Sequence, residues 1–170
     1  MNTQVIHGKA HVYGDNVDTD AIIAGKYTKT LDPRSLALHV LEDLDPEFSR
    51  IVKPGDILVA GKNFGCGSSR EQAPLALKTA GVAAVVAKSF ARIFFRNAVN
   101  IGLPVFELRE ADIAANDELA IRPVSGKIEN LTRPAVYQSE ALPPIMMAIL
   151  EAGGLVAYLR SRGGYCIKGE

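Results

Sequence analysis

Residues 56–87 read "DILVAGKNFGCGSSREQAPLALKTAGVAAVVA". The order of textures in that stretch decides the fold class. Ile57–Ala60 is an unbroken apolar run of strand length, and Val82–Ala87 is a second one; continuous runs of this kind suit strands covered on both faces. Between them lie a Gly-rich polar turn and then "PLALKTAG", which has the composition of a helix. Pro74 suits the first helical turn, where its missing N–H is not needed, and Gly81 suits the helix end. Strand, turn, helix, strand is the signature of an α/β layer architecture.

Working outward, "GKAHVYG" (8–14) reads as a short strand and "GDNVDTDAII" (14–23) as a turn running into an apolar element. Asp32-Pro33 and Asp45-Pro46 each predict a helix start, with the aspartate as cap and the proline at the first helical position. "SFARIFFRNAVNIG" (89–102) predicts a helix with Ser89 as cap and Gly102 just past its end. "LPVFEL" (103–108) is a third apolar strand. "DELAIRPVSGKIENLT" (117–132) predicts a β-hairpin around Ser125-Gly126, and "PPIMMAILEAGG" (143–154) a final helix closed by two glycines. No repeat, low-complexity tract or compositional break divides the chain, so residues 1–170 are expected to form one domain: a single compact β/α unit with a C-terminal β-hairpin and helix.

The composition bounds the function. Of 170 residues, 48% are hydrophobic and 22% charged, and 19 Lys and Arg balance 19 Asp and Glu, which describes a soluble chain with enough apolar mass for a real core. There is no basic run, RNA-binding aromatic signature or zinc-finger spacing, so nucleic acid is not an expected partner. Apolar runs stop far short of the roughly 20 residues that span a bilayer. The first residues, "MNTQVIHGKAHVYGDN", lack a signal-peptide pattern. Cys66 and Cys166 are the only cysteines, too few for a disulfide framework. A cytoplasmic protein with reduced thiols is the expectation.

The chemistry concentrates in "GKNFGCGSSREQAP" (61–74). One reading is structural: Ser68-x-x-Glu71 matches a capping box. Pro74, six positions after such a cap, argues instead for a tight turn over 65–73 ahead of the helix. A dinucleotide fingerprint fails because Arg70 stands where its third glycine belongs, a Walker loop fails at Asn63, and neither serine is framed as a hydrolase elbow. His7, His11 and His39 lie far from the turn in sequence and read as ordinary surface or edge residues. What remains is an anion site: free amides on a turn with Gly65 and Gly67, next to a helix start, with Arg70 as a bidentate partner for a carboxylate or phosphate. A serine held there is a candidate base.

Three separated stretches resemble one family. "YGDNVDTDAIIAGKY" (13–27), "VKPGDILVAGKNFGCGSSREQAP" (52–74) and "VVAKSFARIFFRNAVNIGLP" (85–104) are similar to the small subunits of 3-isopropylmalate dehydratase and homoaconitase, the free-standing counterparts of aconitase's swivelling fourth domain. The likeness runs from about residue 8 to 159. It implies a hydro-lyase half, completed by a large subunit that carries a [4Fe–4S] cluster, in a heterodimer or heterotetramer. The cluster needs three or more thiolates, which this chain cannot supply, so no cofactor is expected on it. By motif, Ser68 is implied as the base that takes the carbon-bound proton. Ser69, Arg70 and Asp20, the second acid of "DTD", are implied around the substrate. Cys66 is expected to pack rather than ligate.

The resemblance also implies a substrate-reading loop at Tyr27-Thr28-Lys29-Thr30. Relatives acting on homoaconitate place an arginine at the position of Lys29, and isopropylmalate enzymes often an apolar residue. Lys29 matches neither and reads equally as a solvated surface lysine; the resemblance implies interconversion of 2- and 3-isopropylmalate, with a homoaconitate-like or methyl-substituted malate as the alternative acid. The loop, residues 26–31, is expected to be mobile before the large subunit arrives. Arg92 and Arg96, four apart on one helix face, are read as supporting the turn or meeting the partner. Lys62 and Asn63 are read as positioning it, and Asp18 as a cap. A non-enzymatic anion-binding regulatory domain is the competing class; a stand-alone serine hydrolase is disfavoured because no triad frame is present.

Overall fold

The structure, a computed structural model, describes residues 5–30 and 32–163. The chain opens with strand β1 (Ile6–Val12), then helix α1 (Thr19–Ile22), a 3-10 turn (Gly25–Tyr27), α2 (Pro33–Leu38) and α3 (Phe48–Ile51). The middle of the chain alternates: β2 (Ile57–Ala60), α4 (Gln72–Ala80), β3 (Ala84–Ala87), α5 (Arg92–Asn100) and β4 (Val105–Glu107). Three more strands follow, β5 (Glu118–Arg122), β6 (Lys127–Asn130) and β7 (Ala135–Gln138), and then α6 (Pro144–Glu151) and α7 (Leu155–Arg162).

All seven strands share one sheet in the order β4-β3-β2-β1-β5-β6-β7. The first half, β4 to β1, is parallel and the second half, β5 to β7, is an antiparallel meander. β1 joins the halves by dividing its own length. Ile6 to Lys9 pair antiparallel with β5, in the register Ile6↔Ile121, while Ala10 to Val12 pair parallel with β2, in the register Ala10↔Ile57.

The alternation of side chains along β2 and β3 splits the core in two. Leu58, Ala60, Val85 and Ala87 face one cluster, where they meet Leu36, Phe48, Leu77 and Phe94 from the helices. Ile57, Val59, Ala84 and Val86 face the other, together with Leu119, Ile121 and Ile128 of the meander. The sheet therefore curls, so that its antiparallel half, together with Met146, Met147 and Leu150 of α6, covers the second face. Ile57 and Leu58 are both fully buried, and each contributes about 2 kcal/mol of transfer free energy from one face or the other.

The α/β class, the strands at 57–60 and around 105, and the hairpin at 125–126 are as expected. Asp32 caps α2 by accepting from Arg34 N at 3.0 Å, with Pro33 at the first position. Six expectations need correction. Asp45 closes a turn rather than a helix start, because its carboxylate is also taken by the Tyr13 hydroxyl at 2.8 Å; α3 begins at Phe48. The strand expected from Val82 begins at Ala84. The helix expected near Pro74 begins at Gln72, with the proline still inside the first turn. Ser89 is no helix cap: α5 starts at Arg92, and Ser89 receives the amides of Asn63 and Phe64 instead. The hairpin is a three-stranded meander, since β7 pairs with β6, and α6 is not the last helix. Gly153 and Gly154 turn the chain directly into α7.

Candidate active site

β2 ends at Ala60 and delivers the polar turn to the C-terminal edge of the parallel strands, where open α/β sheets bind their ligands. Two Gly-x-Asn triplets zip this edge together. Gly61 N donates to Gly14 O at 3.0 Å, Lys62 N to the Asp15 carboxylate at 2.6 Å, and Asn16 N to Lys62 O at 2.8 Å. Asn16 and Asn63 both adopt left-handed backbone, with φ of 57° and 58°, and their side chains hydrogen-bond at 3.1 Å. Asparagine tolerates that conformation better than most residues.

Beyond Asn63 the turn is anchored by an aromatic plug. Phe64 is fully buried and meets Phe94 of α5 edge-on, with ring centroids 5.0 Å apart. Phe64 N donates to Ser89 O and Ala91 N returns a bond to Phe64 O, so the turn and the start of α5 are stitched. Gly65 and Gly67 then take φ of 76° and 89°. Gly65 N donates to Val17 O and Thr19 N to Cys66 O, both at 2.8 Å, which lays the "DTD" segment along the turn. Thr19, almost completely buried, clips the turn with its hydroxyl on Ser68 O at 3.0 Å.

The side chains of that segment divide their work. Asp18 caps α1 by accepting from Ala21 N at 2.7 Å, as expected. Asp20, one residue into the helix and exposed, receives Nη1 of Arg70 in an ion pair across the site. The same nitrogen also reaches Ile23 O at 3.3 Å. Ser68 and Ser69 are exposed beside this pair. The amides of residues 67–69 donate to no acceptor among the described residues, which leaves them available to an anion. The capping-box alternative is not realised: α4 has no side-chain cap, and Arg70 N bonds Ser68 O instead.

Arg70 also borders the 25–30 turn. A Cβ on Gly25 would lie 3.2 Å from its Nη2. Within that turn Thr28 Oγ1 donates to Gly25 O at 2.9 Å, and Lys29 is exposed; Leu31 lies outside the described residues. Arg92 and Arg96 are exposed along α5. Neither Lys29 nor Arg92 hydrogen-bonds or ion-pairs with the Arg70–Asp20 pair among the described residues. Sequence reasoning missed Thr19, Asp15, Asn16 and Ser89, which position the turn. The matching triplets Gly14-Asp15-Asn16 and Gly61-Lys62-Asn63 were a legible signal for two of them. It also underrated two histidines. His11 Nε2 lies 2.9 Å from the buried Asp56 carboxylate, and His39 Nδ1 lies 2.7 Å from Glu42.

Among the described residues no three His, Cys, Asp or Glu side chains converge as a metal site, and no helix is long and apolar enough to cross a membrane. Cys66 is a half-buried free thiol inside the turn, and Cys166 lies outside the described residues. With two cysteines in its sequence, the chain lacks the three or more thiolates that would hold an iron–sulfur cluster.

Residues 45–111 match the aconitase C-terminal domain family. The chain is 57% identical to a 3-isopropylmalate dehydratase small subunit of Moorella thermoacetica, over 91% of this chain and 95% of that one. It is 55% identical to the small subunit of Thermodesulfovibrio yellowstonii, over 92% and 95%. A crystal structure of 3-isopropylmalate dehydratase from Methanocaldococcus jannaschii superposes with a TM-score of 0.90 at 47% identity, covering 94% of this chain and 96% of that one.

Proposed function

The chain belongs to the 3-isopropylmalate dehydratase small subunits of the aconitase family, and on that premise we propose that it supplies the base and the carboxylate-binding groups of a two-subunit hydro-lyase. The reaction interconverts 2-isopropylmalate and 3-isopropylmalate by removing water and adding it back at the neighbouring carbon. The observation that carries the reading is the identity of 55–57% over more than nine-tenths of the chain to proteins of that name. The whole chain, residues 1–170, acts as one swivelling-type domain in the cytoplasm. A large subunit would close over the open edge and carry a [4Fe–4S] cluster, whose iron would supply Lewis-acid chemistry to the substrate hydroxyl.

In the proposed mechanism Ser68 acts as an alkoxide, held by the neighbouring amides and Arg70, and takes the proton from the carbon next to a carboxylate. The electron pair of that C–H bond forms the carbon–carbon double bond as the C–O bond on the neighbouring carbon breaks and hydroxide leaves. On the return, hydroxide adds to the other carbon and Ser68 gives its proton back. Removing such a proton builds negative charge on the adjacent carboxylate. In this reading the amides of residues 67–69, Ser69 and Arg70 receive that charge where it develops, which the unpaired amides and the guanidinium beside them support. Their fixed geometry means no reorganisation is needed at the moment of transfer. Asp20 orients Arg70 and, once substrate enters, competes with its carboxylate for the guanidinium. Thr28 and Lys29 line the adjoining turn and face the remainder of the substrate. Gly65 and Gly67 give the turn its shape, and Arg92 supports it from the start of α5.

Replacing the base tests the assignment. In the reconstituted enzyme, Ser68→Ala should lower kcat by about 10²–10⁴-fold, the range for a lost acid–base group, while the subunits still associate. Near-normal turnover in that variant would remove Ser68 from the role.

A further inference from the structure

The 25–30 turn is tied to the body of the protein through one carboxylate. Glu42 accepts from the Tyr27 hydroxyl at 2.7 Å on one oxygen, which also pairs with Lys26 Nζ at 3.1 Å. Its second oxygen lies 2.7 Å from His39 Nδ1. The Tyr27 and His39 rings stack at 3.7 Å with an angle of 6°, and Lys26 Nζ sits 4.7 Å from the Tyr27 centroid. Behind Glu42 the chain is rigidly placed: Leu41 is fully buried and its amide donates to Ile22 O at 2.8 Å. Hydrogen bonds from Tyr27 first, then His39 and Lys26, hold the Glu42 carboxyl down at about 2, so it is an anion wherever the protein is folded near neutrality.

The opposite end of this segment is the site itself. Asp20 and Ile23 O receive Arg70, and Gly25 lies against its guanidinium. Residues 20–27 therefore run from the Arg70–Asp20 pair to the Glu42 cluster. Tyr27 packs half-buried against the core, and beyond that apolar contact the side chains of Lys26, His39 and Glu42 all converge on it, which covering the core alone would not need. Resting on the function proposed above, we infer that Glu42 is a positioning residue for substrate binding, holding Tyr27 against His39 and so fixing the 25–30 turn beside Arg70.

The test uses the reconstituted two-subunit enzyme for kinetics and the full chain for amide hydrogen exchange. Glu42→Ala should raise KM for 3-isopropylmalate about tenfold, the effect of losing one charge-assisted hydrogen bond, with kcat within about twofold. Exchange at residues 26–30 should rise in the same variant, with β2 and β3 unchanged. Tyr27→Phe, which removes the hydroxyl and keeps the ring stack, should shift KM the same way by less. Glu42→Gln, which keeps an acceptor, should partly rescue it. Faster exchange with unchanged KM would reduce Glu42 to a structural stitch and overturn the inference, as would unchanged exchange in Glu42→Ala. If Glu42→Ala fails to fold, Tyr27→Phe decides by the same two readouts. A wild-type pair with no turnover would instead overturn the proposed function, and with it the substrate role of Glu42.

Discussion

Gly65 shows how strictly a single residue is constrained here. Its φ of 76° disfavours any side chain, and a Cβ would lie 2.2 Å from Cγ of Phe94, whose ring is itself held by Phe64. Backbone strain of about 1–3 kcal/mol and the displaced ring act together in Gly65→Ala. Its melting temperature should fall by roughly 5–10 °C in a thermal scan, for a chain of this size. An unchanged melting temperature would mean that the turn can move off the aromatic plug. That Gly65 and Gly67 were special was legible from their crowding beside two serines. The reason at Gly65 was not, because Phe94 lies far along the chain and nothing in the spacing links them. The same holds for Asp20 and Arg70, fifty residues apart: Arg70 was legible from the turn itself, Asp20 only from the likeness to a known family, and the ion pair is visible only once the chain is folded. His39 was passed over because an isolated histidine carries no sign of the stacked tyrosine and the carboxylate it meets.

At the scale of elements, the parallel half was legible because its strands are buried on both faces and therefore continuous in the sequence. Ile57–Ala60 is buried at every position. β7 escaped notice for the opposite reason: Ala135–Gln138 is an edge strand with no fully buried residue, so it carries no strong apolar signal. α7 was missed because Gly153-Gly154 reads as an end, whereas both glycines, at φ of 86° and 135°, reverse the chain into another helix. The antiparallel half depends on a polar clamp that no pattern announces. Asp117 accepts from Arg133 Nη2 at 2.7 Å, from Asn130 Nδ2 at 2.7 Å and from Ala114 N at 2.8 Å. Arg133 above all, then the Ala114 amide, holds this carboxyl below its ordinary value of 3.8, down to about 2. A depressed value means the clamp's contribution is complete above the unfolded value and is lost as pH falls through the folded one. Asp117→Asn should therefore melt below wild type by a constant margin above about pH 5, and the margin should shrink as pH drops toward about 2. A margin independent of pH would show that the ionised carboxylate is not what the meander uses.

For the whole molecule, the defining feature is an incomplete site. The serine turn, the Arg70–Asp20 pair and the 25–30 turn meet at the C-terminal edge of the parallel strands with Ser68, Ser69, Asp20 and Lys29 all exposed. Such an arrangement binds charge well and excludes water badly, and proton transfer from carbon needs both a fixed base and a dry surrounding. In the proposed mechanism rigid scaffolding from β1, β2 and α5 supplies the first, and the large subunit's surface supplies the second. The proposed division of labour rests on the small-subunit name of the relatives and on the donors and hydroxyl that this chain carries. The most direct measurement is anaerobic mixing of this chain with a cluster-loaded 3-isopropylmalate dehydratase large subunit, with interconversion of 2- and 3-isopropylmalate followed for each subunit alone and for the mixture. The account predicts turnover only in the mixture. Turnover by this chain alone, or a stable complex that leaves both acids unchanged, would contradict it.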